Sequence, residues 1–145
     1  MMITSATDAD MEIFLTSVGE YLGRVGAETT IDLYTDVEIS EPEPKRLFTE
    51  LRQAALAENS AADTRSRRKD PYMGVPLDLT SPAGITYFSR LAHRTIGCEA
   101  SLGRKLLFST VENERLVSLD IPDREIEELK AQARQAGATT LSHVA

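Results

Sequence analysis

Tryptophan is absent and only 6 % of the residues are aromatic, so any core must be built mainly from aliphatic side chains. A single cysteine, Cys98, excludes an internal disulfide and a multi-cysteine zinc site. One free thiol also suits a reducing, cytoplasmic setting. No apolar run approaches the ~18–20 residues of a membrane span. Met1 to Asp10 offers neither a basic n-region nor an apolar h-region, so it does not read as a secretory signal. What is there is ordinary for a folded chain: 145 residues, 41 % hydrophobic and 27 % charged. That predicts one domain spanning 1–145.

The charge is lopsided. Residues 1–60 hold 4 Lys/Arg against 12 Asp/Glu, a net of -8, while 61–145 hold 12 against 11, a net of +1. A net of -7 repels nucleic acid unless a local basic face overcomes it. Direct nucleic-acid binding is therefore disfavoured, and a basic protein partner fits better.

Periodicity organises the chain. Met11, Phe14, Leu15, Val18, Leu22 and Val25 share one face of a helix over 8–25, with Gly26 as its stop. Ile31, Leu33, Val37 and Ile39 alternate with Asp32, Tyr34, Asp36 and Glu38, which predicts a strand over 29–39. Ser40-Glu41-Pro42-Glu43 reads as a capping box opening a second helix that runs to Ala57 or Glu58, with Leu47, Phe48, Leu51, Ala54 and Ala55 inward. Residues 59–71 lack an apolar period and read as an exposed, mobile loop. Residues 72–80 suit a short strand that Pro76 confines to an edge. Ser81-Pro82 opens a third helix, with Gly97 as its expected stop. Residues 104–111 and 115–121 form a hairpin around Glu112-Asn113-Glu114, and Pro122 to Gly137 is a last, outward-lying helix. The thin apolar stripe of that helix leaves room for a homodimer seam. Thr139 to Ala145 reads as a frayed tail or the start of a short helix. Four helices and a small, mainly antiparallel sheet make an α+β domain.

Chemistry is hard to find. His93 and His143 are the only histidines, too few with one cysteine for a structural zinc site. His93 and Cys98 are five residues apart with no third group to orient them. The bland reading makes His93 a cation at a helix C-terminus and Cys98 a small buried hydrophobe. His93-Arg94-Thr95 has the H-x-T shape of two-histidine phosphoesterases, but those carry a second copy that is lacking here. No phosphate-binding glycine loop or nucleophile elbow occurs. No catalytic residue, metal or cofactor is assigned.

Two surfaces stand out as binding candidates. On the predicted strand, Asp32, Tyr34, Asp36 and Glu38 share the wet face, and alternate residues stand about 6.6 Å apart. With Glu41 beyond them, these carboxylates can imitate the charge ladder of a nucleic-acid backbone and attract a protein that grips nucleic acid. The second candidate is the run Arg65, Arg67, Arg68 and Lys69, followed by Tyr72, which can meet an acidic partner or stack on a ring. The expectation is a non-enzymatic acidic interaction protein: an inhibitor, immunity protein, adaptor or secretion-type chaperone. One concrete form is a bacterial or phage inhibitor of a nucleic-acid-handling partner.

A further pattern lies at 115–145: an alternating strand, Ile121-Pro122, an amphipathic helix, Gly137 and Thr139-Thr140-Leu141-Ser142-His143-Val144. It resembles the ribbon-helix-helix repressors and antitoxins. That resemblance implies a dimer whose paired strands read the DNA major groove through Leu116, Ser118 and Asp120. It gives the alternative function, a DNA-binding regulator or antitoxin. A small enzyme without a recognisable motif, using His93 and nearby acids, is the other alternative.

Overall fold

The computed structural model describes residues 1–144. The chain runs β1 (Met2–Thr4), α1 (Asp8–Val25), β2 (Glu28–Asp32), α2 (Pro42–Ala61), β3 (Val75–Leu77) and α3 (Pro82–Leu91). A 3-10 turn (Ala92–Arg94) leads into β4 (Gly97–Leu102), β5 (Lys105–Thr110), β6 (Leu116–Leu119), α4 (Asp123–Gln135) and β7 (Ser142–Val144). The strands form one sheet in the order β3-β2-β4-β5-β6-β1-β7, and every pairing is antiparallel. The class is α+β, as the sequence predicts, with seven strands where the pattern accounts for four.

Helix ends follow the side chains that satisfy them. Thr7 caps α1 by accepting from the Asp10 N–H at 3.1 Å. Gly26, at φ 77°, closes it: its N–H reaches the Gly23 carbonyl, and the Ala27 N–H reaches that of Leu22. Ser81 caps α3 through the Gly84 N–H at 3.0 Å. There Gly84 has no alternative, because a Cβ would lie 1.8 Å from the Asp78 carbonyl oxygen.

The helices form a layer in which α1 touches α3 and α4, and α2 packs on α3. The core lies between this layer and the strand residues that face it. Ile3, Ile31, Val75, Cys98, Ala100, Phe108, Val117 and Leu119 from the sheet meet Phe14, Leu15, Val18, Leu22, Phe48, Phe88 and Leu129 from the helices. Phe88 and Phe108 have ring centroids 5.1 Å apart. Among the described residues no helix is long and apolar enough to cross a membrane.

Several expectations need correction. The strand predicted over 29–39 ends at Asp32, because its partners end there: Ile31 is the last residue opposite β3, and Asp32 pairs with Gly97, the first residue of β4. Beyond it Leu33 and Ile39 are buried all the same, as irregular chain laid on the core. Asp32, Asp36 and Glu38 therefore form no ladder along one strand. The capping box is not made: Glu41 precedes α2 without a side-chain cap, and Glu43 pairs with Arg90 at 2.8 Å. Helix α2 also runs on to Ala61, and Ala54 is exposed while Ala55 is buried. Gly97 opens a strand instead of ending a helix.

The basic loop is tied down more than its composition suggests. Buried Asn59 exchanges two hydrogen bonds with the Arg68 backbone, at 3.0 and 2.8 Å. Arg67 donates to the Ser60 and Ala62 carbonyls at the end of α2, the usual work of a cation at a helix C-terminus.

The tail forms β7 against β1, with Ser142, His143 and Val144 opposite Thr4, Ile3 and Met2. Ala145, the last residue of the expected tail, lies outside the described residues. In the segment that resembles ribbon-helix-helix proteins, β6 is held on both sides, by β5 and by β1. It offers no free edge for a second chain, and a strand stands where a second helix would follow.

Candidate functional site

At one end of the sheet a cleft of about 690 Å³ opens, a volume typical of binding pockets. One wall is the irregular segment after β2, with Tyr34, Val37, Glu38, Ile39, Ser40 and Glu41. The opposite wall is the β5–β6 turn, Asn113 to Leu116, whose tightness rests on Asn113 at φ 50° and on its N–H donating to the Thr95 carbonyl. Thr4, Ser5 and Asp8 contribute from the end of β1 and the first turn of α1, and Val144 from β7. His93 and Arg94, both buried, come from the 3-10 turn.

Three side chains from two distant pieces of chain converge on Asp8. His93 Nε2 lies 3.2 Å from Asp8 Oδ1, Arg115 Nη1 lies 3.5 Å from the same oxygen, and Arg94 Nη2 lies 3.7 Å from Oδ2. The His93 side chain is 1 % exposed. Burial, and then the neighbouring Arg94, push its pKa down to about 4 against the pull of Asp8. His93 is therefore neutral at pH 7, not the helix-end cation that its position suggests. With Asp8 accepting from Nε2, the other ring nitrogen, Nδ1, is buried without a partner. Arg94 also reaches Glu12 at 3.4 Å, and Arg90 links Glu12 and Glu43 on the outer side.

The residues expected at a binding surface divide between places. Tyr34, Glu38 and Glu41 line the cleft. Glu38 pairs with Arg52 at 3.3 Å and Glu41 lies 3.8 Å from Arg94. Burial raises the Tyr34 hydroxyl pKa, and the nearby Glu112 adds to it. Asp36 is exposed on the same segment. Asp32 turns to structure: its carboxylate accepts the Gly74 N–H at 2.7 Å, where β3 begins. In the basic loop, Arg68 is spent on Glu58 and the Pro71 carbonyl, and Arg67 on α2. Arg65 and Lys69 remain exposed. Tyr72 is half-buried against the core, and its carbonyl accepts the Leu33 N–H at 2.8 Å.

Sequence reasoning missed Asp8, Arg94, Glu114 and Arg115 as neighbours. Their separations, 85 residues from Asp8 to His93 and 107 to Arg115, leave no local pattern to read. A second concavity of about 640 Å³ lies between α1 and the start of α3, around Gly23, Leu79 and Ile85, and holds none of the expected residues. Among the described residues no cluster of His, Cys, Asp and Glu is arranged to hold a metal ion. No family model, curated protein or solved structure matches the chain.

Proposed function

We propose that this is an interaction protein whose acidic cleft receives a basic segment of a partner protein. The observation that carries the reading is the charge on the cleft walls. Asp8, Glu38, Glu41 and Glu114 face Arg94 and Arg115, four negative groups against two positive ones, with His93 neutral. Glu38 is already paired with Arg52, which leaves an excess of one negative charge; that excess favours a lysine or arginine side chain, and Tyr34 offers it a ring face. Asp36, Glu112 and the acidic first 60 residues extend the field that draws such a partner in. A nucleic-acid-handling protein, an inhibitor's target or a secreted client all supply basic segments of this kind.

A small enzyme is the second reading, because His93 and Asp8 touch inside the cleft. It is the weaker one. A general base needs a ring nitrogen open to the bound molecule. Here Nε2 is engaged by Asp8, and Nδ1 is buried.

The test is fluorescence polarisation with capped twelve-residue peptides, one rich in lysine and arginine, one neutral and one acidic. The basic peptide is expected to bind best, and its affinity to fall with added salt. Replacing Glu38, Glu41 and Glu114 together by glutamine removes three rim charges, each worth at most about 1 kcal/mol at an exposed site, so affinity is expected to fall roughly tenfold. Equal binding of basic and neutral peptides, or an unchanged affinity in the triple variant, overturns the reading.

A further inference from the structure

The cleft mixes one buried cation with exposed groups of both signs. Deep inside it Arg94 has a side chain only 8 % exposed. Its Nη1 donates to the Arg90 carbonyl and its Nη2 to Glu12 at 3.4 Å. Asp8 and Glu41, at 3.7 and 3.8 Å, are ion-pair neighbours beyond hydrogen-bond reach. The Nε–H has no acceptor at all, and a buried guanidinium donor left unpaired is costly. The carboxylate closest to it, Glu41 at 3.8 Å, belongs to the cleft wall; the donor is as buried as His93 Nδ1, so a guest reaches it only when Glu41 moves aside. Arg115, 44 % exposed, stands across Asp8 from it. The exposed carboxylates of Glu38, Glu41 and Glu114 line the same cleft, and Glu41 is about as open as Arg115.

A plain cation satisfies the rim and leaves the Arg94 donor unpaired. A plain anion satisfies Arg94 but must pass the acidic rim. A guest that meets both sets of charges carries a carboxylate at its tip and a cation one side chain behind it. Resting on the basic-partner reading, we propose that the cleft binds the C-terminal residue of the partner, a lysine or arginine. Its α-carboxylate meets Arg94 and Arg115, and its side-chain cation sits among Glu38, Glu41 and Glu114. Glu41 then exchanges one cation for another, leaving Nε of Arg94 to the guest carboxylate. The residues before the terminus run out over Tyr34 and Val37, which is half-exposed.

Calorimetric titration of the full chain tests this with four probes. They are a six-residue Gly/Ser peptide ending in arginine with a free carboxylate, the same peptide amidated, the same composition with the arginine moved to the middle, and free arginine. The free-acid peptide is expected to bind about tenfold more tightly than its amide, the effect of one charge-assisted hydrogen bond pair. Arg115→Gln is expected to narrow that gap, and Arg94→Gln to abolish it. Should Arg94→Gln fail to melt as a folded protein, the acid-to-amide ratio and Arg115→Gln still decide. Equal affinity of acid, amide and internal-arginine peptides overturns the terminal-residue proposal and leaves the basic-partner reading standing. Failure of every peptide to bind overturns the terminal-residue proposal, and failure of the twelve-residue basic peptide as well overturns the basic-partner reading. Free arginine binding as tightly as the peptide overturns the choice of a chain terminus and identifies a small zwitterion as the guest.

Discussion

Acidification from pH 7 to pH 4.5 is expected to weaken the fold, with one separable contribution from His93. Its pKa in the folded protein is about 4, against 6.5 for an unburied imidazole. Burial is the main cause, Arg94 and more weakly Arg115 add to it, and Asp8 opposes it. Above pH 6.5 the ring is neutral in both states and contributes no pH dependence. Between 6.5 and about 4 the unfolded chain binds a proton that the folded chain refuses, so stability falls as the pH falls. Below about 4 both states are protonated and this contribution levels off. At 1.36 kcal/mol per pKa unit, the loss by pH 4.5 is about 2–3 kcal/mol. Urea denaturation at pH 7 and pH 4.5 measures it, with His93→Gln as the reference, since glutamine keeps a donor for Asp8 but does not titrate. Carboxylates contribute equally to both proteins, so the difference between their pH-induced losses isolates the imidazole. If wild type and His93→Gln lose the same stability over that interval, the account of a buried neutral imidazole is refuted.

Two further outcomes follow from packing. Gly84→Ala places a methyl carbon 1.8 Å from the Asp78 carbonyl oxygen and disturbs the Ser81 cap beside it, so thermal or urea unfolding is expected to show a loss of about 2–3 kcal/mol. Gly97→Ala meets nothing within 4 Å and needs no left-handed backbone, so it serves as the near-neutral control, and matching melts for the two variants contradict the clash. Cys98 is 1 % exposed, and burial raises its thiol pKa. Iodoacetamide is therefore expected to label it slowly in buffer and rapidly in urea, and labelling in buffer at a free-thiol rate contradicts this placement.

The helices were legible from their apolar stripes, and their ends where a side chain or glycine marks them, as in Met11 to Leu22 before Gly26, or Ser81-Pro82 before Phe88 and Leu91; the far ends of α2 and α3 carry no such mark. The β5–β6 hairpin was legible from alternation around Glu112-Asn113-Glu114. Strand β4 was not, because its inward residues, Cys98 and Ala100, are small, and the register shifts between Ala100 and Ser101. Three-residue strands such as β1 and β7 are too short to carry a period. The alternation over 29–39 misled for a physical reason: Leu33 and Ile39 reach the core as irregular chain, Leu33 with a single backbone bond to Tyr72, while Val37, expected inward, is half-exposed. Of the cleft, the pattern over 29–39 and the charge beyond it picked out Tyr34, Glu38 and Glu41, though the strand face that was to carry them does not form. Neither found His93, Arg94 or Arg115, because only the folded sheet brings them to Asp8.

The most direct measurement of the central claim is an NMR titration of the 15N-labelled protein with a basic peptide. The account predicts amide shift changes concentrated in residues 34–41, at His93 and Arg94, and across 113–116, weakening as salt is added. Shifts concentrated instead at the 65–69 loop or around Gly23 and Ile85, with the cleft amides unmoved, contradict it.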